Sequence, residues 1–145
     1  MHNLTKRLIV IIMLSLMLIP TKVNAKSYKM TKSEERLIQK IMYLEAHTHG
    51  VKGMTLVGRT IMNRVYSKKF PNTVKKVIYA KNQFVTVKYL NRAKITKSTK
   101  KALKQVKAGK YNNMKALYFC EKSSYHGWWR TLKVVYRHKT HIYCK

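Results

Sequence analysis

The chain has 145 residues, of which 32 are lysine or arginine and 4 are aspartate or glutamate, so its formal net charge is +28. This length accommodates one small domain with one hydrophobic core, and the sequence has neither internal repeats nor a Pro/Gly/Ser-rich linker that would indicate several domains. So basic a chain favours an anionic partner, such as nucleic acid, an anionic membrane or an anionic cell-wall polymer.

The first 25 residues predict a secretory signal peptide. Lys6 and Arg7 form a basic start, the apolar run "LIVIIMLSLMLIP" follows, and Ala25 is a small residue suited to cleavage. The run is short for a membrane span, and a retained N-terminal anchor is the alternative. We expect residues 1–25 to direct export and residues 26–145 to form one exported domain. Export counts against nucleic acid as the natural partner.

Two long helices are predicted next. The segment "TKSE", from Thr31 to Glu34, predicts a capping box at the start of the first helix. Apolar residues then recur at helical spacing, and Gly50 is the expected end. The second helix is predicted from Met54 to Tyr66, where the apolar stripe is clearer still.

The second half of the chain predicts shorter elements. Thr73 is expected to cap a short helix ending at Tyr79, and Ser98 to cap another ending at Gly109. The segments "ALYFC", "LKVVY" and "HIYC" are typical of a small antiparallel sheet. The predicted fold class is α+β, mostly helical with a small C-terminal antiparallel sheet, and we expect a monomer.

Cys120 and Cys144 both lie in the C-terminal part of the chain. In an oxidising compartment they predict one disulfide, worth about 3 kcal/mol. Two unpaired thiols are the alternative.

Glu45 has an unusual position in the first predicted helix. It lies four residues after Ile41 and three after Met42, so it shares their apolar face. Burial on such a face raises the pKa of a carboxyl toward the range of a general acid. The alternative is a glutamate at the edge of the stripe, reaching water or pairing with a lysine.

The other acidic residues offer few catalytic partners. Conventional glycosidases hold two carboxyl groups roughly 5–9.5 Å apart. Glu34 and Glu35 lie about 15–16 Å from Glu45 along a helix, too far to be its partners. Only Glu121 remains as a second carboxylate, and its position depends on the predicted sheet. A glycan-cleaving enzyme with this sequence is therefore expected to work with a single glutamate.

The stretch from Leu44 to Phe84 resembles the bacterial cell-wall hydrolase family that includes the spore cortex-lytic enzymes of the SleB type. The shared motifs are Glu45-Ala46, Gly53, Asn63-Arg64-Val65, Phe70-Pro71-Asn72-Thr73-Val74 and Gln83-Phe84. Looser matches follow at Tyr118-Phe119, Trp128-Trp129 and His141-Ile142-Tyr143.

The resemblance implies that residues 26–145 form a catalytic domain of the lysozyme-like, lytic-transglycosylase type, secreted or held at the cell wall, with Glu45 as the catalytic acid/base. Such an enzyme cleaves the bond between N-acetylmuramic acid and N-acetylglucosamine in peptidoglycan, without a cofactor or a second carboxylate. The implied partners are peptidoglycan glycan strands, in the spore cortex or another wall, and the charge adds anionic wall polymers.

The sequence departs from the family pattern at two places. The family often carries a second glutamate four residues after the first, where this chain has His49, and the glycine usual before the terminal histidine is missing. His49 still offers a hydrogen bond or a titratable group near neutral pH.

The residues expected to contact the glycan are an amide, aromatic rings and two histidines: Gln83, Phe84, Tyr118, Trp128, Trp129, His141 and His49. Because two adjacent tryptophans do not both point to one strand face, one of them is expected to meet glycan or solvent. The alternative is that Gln83 and Phe84 are loop residues without a role in binding. Asn63 and Arg64 are interpreted as structural residues that hold a loop.

Two other functions stay open at this point. Four histidines form two pairs, His47 with His49 and His138 with His141, but they lack the HExxH spacing. We expect no metal site, and a metal-dependent amidase is the weaker alternative. The other alternative is a non-enzymatic cationic protein that binds wall polymer or membrane. It is favoured by the net charge and by His49 in the place of the family's second glutamate.

Overall fold

The structure is a computed structural model that describes residues 28–145. It contains four α-helices followed by three β-strands, with short 3₁₀ helices between them. This confirms the predicted α+β class. The predicted signal peptide, residues 1–25, lies outside the described residues and stays a prediction.

The first helix, α1, spans Lys32–Ala46 and begins with the predicted capping box. The Thr31 hydroxyl accepts a hydrogen bond from the Glu34 backbone N–H (3.2 Å), and the Glu34 carboxylate accepts one from the Thr31 N–H (3.1 Å). The helix ends earlier than predicted, because a 3₁₀ helix, His47–His49, turns the chain before Gly50.

The second helix, α2, spans Gly50–Val65 and begins four residues before the predicted Met54. Nearly all of its side chains are buried, because α1 packs on one side and the fourth helix, α4 (Lys97–Lys107), on another. At Gly58 the neighbours are so close that a Cβ atom would lie 2.6 Å from Met42 Sδ and 2.7 Å from Val106 Cγ2. A glycine at this position lets three helices meet in one core.

The shorter helices complete the helical part. α3 spans Val74–Tyr79, and Thr73 caps it as predicted by accepting from the Lys76 N–H. α4 spans Lys97–Lys107, and its cap is Thr96, so the predicted Ser98 cap is wrong. Thr96 and Thr99 exchange two hydrogen bonds at the helix start, which leaves Ser98 inside the first turn.

The C-terminal sheet has the strand order β1-β3-β2, and both pairings are antiparallel. The strands are β1 (Tyr118–Glu121), β2 (Val134–His138) and β3 (His141–Cys144). All four residues of the central strand β3 are buried. Asn63, on α2, connects the loop before β1 to the helices. Its side-chain amide donates to the carbonyls of Met114 (2.7 Å) and Ala116 (2.9 Å), as expected of a structural residue.

Cys120 and Cys144 lie on neighbouring strands, buried in one cluster with Ile142, and both are free thiols in this structure. Cys120 pairs with Ile142 and Cys144 with Tyr118, so the two cysteines are diagonal neighbours. Diagonal residues are about 7–8 Å apart, at or beyond the usual Cα separation of a disulfide. The disulfide stays a prediction, and forming it would require the strands to shift.

Within residues 28–145, no helix has both the length and the apolar character needed to cross a bilayer.

Candidate active site

Glu45 lines a cleft of about 300 Å³ between the end of α1 and the sheet. The other lining residues are Arg64, Asn82, Gln83, Phe84, Val85, Tyr118, Phe119, Trp128 and Trp129. The side chain of Glu45 is half-buried, and its Oε1 accepts a hydrogen bond from the Thr86 hydroxyl. Helix α1 brings the carboxyl to the cleft because Glu45 follows the buried Ile41 and Met42 on one face.

The surroundings favour the protonated form of this carboxyl. Burial raises the pKa of Glu45, and the charge of Glu121 raises it further. The Thr86 hydrogen bond and the Arg64 charge lower the pKa, but burial dominates. A carboxyl with a raised pKa beside an open cleft can act as a general acid.

The remaining carboxylates are engaged elsewhere. Glu34 closes the helix cap and accepts a hydrogen bond from the Tyr28 hydroxyl. Glu35 pairs with Lys107 at 2.5 Å, and Glu121 lies 2.9 Å from His141 Nε2. None of these three lines the cleft. Among residues 28–145 Glu45 forms no salt bridge, so the alternative of a glutamate paired with a lysine is not what the structure shows.

Arg64 has a larger role than the sequence indicated. Its Nε donates to the Leu117 carbonyl (2.7 Å), which is the expected structural contact. Its guanidinium also lies over the rings of Phe70, Phe84 and Tyr118 and lines the cleft. Burial lowers its pKa to about 10, and its Nη1 is buried without a hydrogen-bond partner among the described residues. The side chain therefore holds a positive charge near Glu45 and keeps one donor atom free.

Five of the predicted glycan contacts line this cleft: Gln83, Phe84, Tyr118, Trp128 and Trp129. Trp128 is 57% exposed and packs against Tyr118 and Trp129, with ring centroids 5.6 and 5.2 Å apart. Phe84 is part of the core as well as the cleft wall.

The two predicted histidine contacts do not line the cleft. His49 is 9% exposed and His141 is 3% exposed, and their rings pack edge to face with centroids 4.3 Å apart. Phe119 contributes to both places, because it lines the cleft and its ring packs on His141 with centroids 5.4 Å apart. Both histidines join Glu121 in a cluster whose nitrogen and oxygen atoms lie within 4.8 Å of one another.

Thr86 was not among the site residues predicted from the sequence. It lies two residues after Phe84, at the end of the region that carries the family resemblance, but a threonine in a loop gives no signal of its own. Its contact with Glu45 arises because the 3₁₀ helix Val85–Tyr89 packs on α1.

A larger cavity, of about 510 Å³, lies elsewhere and is lined by residues that include Tyr28, Arg59, Tyr66 and Lys107. It contains no carboxyl group. The smaller cleft is the better candidate because it alone, of the two, brings a carboxyl group to an open surface.

Comparison with known proteins identifies the family of this chain. Residues 48–144 match the cell wall hydrolase family. The chain belongs to this family. The matched range begins three residues after Glu45, so the role of Glu45 rests on the cleft and not on the match.

Two solved structures have the same fold as this chain. The catalytic domain of the Bacillus cereus SleB protein superposes with a TM-score of 0.73 at 26% identity, covering 82% of this chain and 94% of that one. The catalytic domain of the germination-specific lytic transglycosylase SleB from Bacillus anthracis gives 0.72 and 25%, covering 82% and 99%. No curated protein matches the sequence significantly. As a cell wall hydrolase with a lysozyme-like fold, the chain is a peptidoglycan-cleaving enzyme.

Proposed function

We propose that this enzyme is a lytic transglycosylase that cleaves the bond between N-acetylmuramic acid and N-acetylglucosamine with Glu45 as its single acid/base. The observation that carries the proposal is that Glu45 is the one carboxyl, of the four in the chain, that lines the cleft. The Bacillus anthracis relative, described as a lytic transglycosylase, supports the same reaction.

The reaction needs two proton transfers and no second carboxylate. Protonated Glu45 donates its proton to the glycosidic oxygen as the bond from that oxygen to the muramic acid C1 breaks. The ionised Glu45 then takes the proton of the sugar's own 6-hydroxyl, whose oxygen bonds to C1 and closes an anhydro ring. Glu45 ends the cycle protonated, so protons and bonds balance without water as nucleophile.

The residues around Glu45 fit these steps. Arg64 stabilises the carboxylate once its proton has been given away, because its charge favours the ionised form. The Thr86 hydroxyl fixes the orientation of the carboxyl through its hydrogen bond. The exposed ring of Trp128 and the amide of Gln83 offer a stacking surface and hydrogen bonds, the two contacts that sugar rings use.

Glu45→Gln tests the proposal. Gln keeps the shape of the side chain but cannot donate or accept the catalytic proton, so cleavage should fall by about 10⁴-fold, the upper end of general acid–base effects. The measurement is turbidity loss of purified peptidoglycan together with release of soluble muropeptides. Glu35→Gln is the matched control, because it makes the same change on the same helix outside the cleft. Activity of Glu45→Gln within tenfold of the parent would contradict the proposal.

Glu121→Gln distinguishes one-carboxylate from two-carboxylate chemistry. Glu121 influences the pKa of Glu45 but does not line the cleft. A loss as large as that of Glu45→Gln would mean that the enzyme uses Glu121 as a second catalytic carboxylate. The single-glutamate mechanism expects a much smaller effect.

We further propose that residues 1–25 act as a signal peptide and that the enzyme works outside the cytoplasm on spore cortex peptidoglycan. The basic and apolar start of the chain supports export. The cortex is supported by the relative whose description is germination-specific. Faster digestion of purified cortex than of vegetative wall would agree with this, and the reverse preference would place the substrate in the vegetative wall.

A further inference from the structure

Three metal-binding side chains meet behind the cleft. They are His49, Glu121 and His141, and one ligand atom from each lies within 4.8 Å of the others. The three residues come from separate segments: the 3₁₀ helix after α1, the end of β1 and the start of β3. Glu121 and His141 are direct partners in the strand register, which places their side chains on one face.

The spacing suits a tetrahedral divalent cation. Zinc binds imidazole nitrogen and carboxylate oxygen at about 2.0–2.2 Å, so its ligand atoms lie roughly 3.3 Å from one another. His141 Nε2 and Glu121 Oε1 are already 2.9 Å apart. The His49 ligand atom, which lies within 4.8 Å of the other two, must move closer to them to complete a set of two histidines and one glutamate.

The outer ring nitrogens are supported in the way that metal-bound histidines usually are. His49 Nε2 lies 3.1 Å from the Thr140 hydroxyl, and His141 Nδ1 lies 3.4 Å from the Tyr143 hydroxyl. Such contacts fix the ring orientation and choose which nitrogen remains free. In His141 this leaves Nε2, which faces Glu121.

An unpartnered nitrogen gives an independent sign of a missing ligand. His49 Nδ1 is buried and has no hydrogen-bond partner among the described residues, although the side chain is 9% exposed. Leaving a buried polar atom without a partner costs about 1–3 kcal/mol. A cation bound to this nitrogen would satisfy it. The Glu121 side chain is 47% exposed, which leaves a route for the ion.

We propose that His49, Glu121 and His141 bind one divalent cation of the zinc class. The ion links the segment that follows Glu45 to the sheet that carries Phe119, and so stabilises the wall of the cleft. His138 is outside the set, because its Nε2 faces the His49 carbonyl at 3.4 Å. None of the three ligands lines the cleft, so the ion has a structural role and its binding can be measured without measuring cleavage.

The test measures metal binding and not activity. The purified protein, without an affinity tag and after treatment with a chelator, is titrated with Zn²⁺ by calorimetry and with Co²⁺ by visible absorption. Thermal unfolding is followed with Zn²⁺ and, for comparison, Mg²⁺. Glu121→Gln removes one ligand from a half-exposed position and should fold normally. His126→Gln is the matched control, since it removes an exposed histidine outside the cluster.

The proposal expects one Zn²⁺ per chain, a tetrahedral Co²⁺ spectrum, and a rise in melting temperature with Zn²⁺ but not with Mg²⁺. Binding should weaken by about tenfold or more in Glu121→Gln and stay unchanged in His126→Gln. Equal affinity in Glu121→Gln, or no stoichiometric binding by the parent, would overturn it. A sulfur-to-cobalt charge-transfer band would overturn it too, because it would place the ion on Cys120 or Cys144.

Discussion

At the scale of single residues, the pKa of Glu45 is set by opposing neighbours. Burial and Glu121 raise it, whereas the Thr86 hydroxyl and Arg64 lower it. The balance leaves a carboxyl that is easier to protonate than an ordinary glutamate. The Arg64 guanidinium is also near enough to stabilise the ionised form of this carboxyl. Both forms are needed, because the proposed reaction uses the same oxygen atoms as acid and then as base.

Thr86→Val tests this balance. The hydroxyl hydrogen bond favours ionised Glu45, so its removal raises the pKa of the carboxyl further. The first step needs protonated Glu45, so activity falls as the pH rises through that pKa. The alkaline limb of the pH–rate profile should therefore move to higher pH in Thr86→Val. Thr60→Val, which removes a buried hydroxyl bonded to the Leu56 carbonyl, is the control and should leave the limb in place. A shift toward lower pH would contradict the role of Thr86.

At the scale of elements, the helices could be predicted where short-range signals decide them. The Thr31 capping box and the apolar stripe of α2 depend on residues a few positions apart, and both were found. The cap of α4 was misplaced because Thr96 and Ser98 are both good caps by type. The choice of Thr96 depends on its reciprocal bonds with Thr99, whose hydroxyl lies 3.4 Å from Gln39 of α1.

Gly58→Ala tests the closeness of the helices. Alanine alone would favour the helix by about 0.5–1 kcal/mol over glycine. Here the new methyl group meets Met42 and Val106, and overpacking of this kind costs about 1–3 kcal/mol. We expect Gly58→Ala to lower the free energy of unfolding measured in urea. The loss caused by Gly58→Ala should be smaller when it is made in a Val106→Ala background than in the parent. An increase in stability for Gly58→Ala would show that α1 and α4 pack on α2 less tightly than described.

The site was harder to predict than the fold, for a physical reason. Glu45 was identifiable because its helix position alone places it among apolar residues. Arg64 and Thr86 act through contacts with distant segments, which periodicity does not reveal. His49 and His141 were expected in the cleft, but the pairing of β1 with β3 places His141 beside Glu121 instead. Only the register of the sheet shows that these residues form a separate cluster.

At the scale of the whole molecule, the charge of +28 concerns binding to the wall more than chemistry. The chain has only four acidic side chains against 32 lysines and arginines. Three of the four are engaged in the helix cap, the Lys107 pair and the His141 contact. Most lysines among residues 28–145 therefore lie free of ion pairs, and we expect anionic polymers to attract them.

Salt should separate these two roles. Exposed charges are screened beyond roughly 8 Å at physiological ionic strength, whereas the half-buried Glu45 is screened less. Raising the salt concentration should weaken adsorption to whole wall far more than it slows cleavage of short soluble glycans. Adsorption is measured by pelleting and cleavage by chromatography. Equal loss of both would mean that surface lysines are part of the active site.

The central claim is that one carboxyl moves both protons and that the sugar's own 6-hydroxyl replaces water. Digestion of peptidoglycan in ¹⁸O-labelled water, followed by mass spectrometry of the muropeptides, tests it most directly. The account predicts anhydro ends on the muramic acid residues, one water lighter than hydrolysed ends and without ¹⁸O. New muramic acid reducing ends, formed in place of anhydro ends and in proportion to the bonds cleaved, would show that water is the nucleophile and would contradict the single-glutamate transglycosylase mechanism.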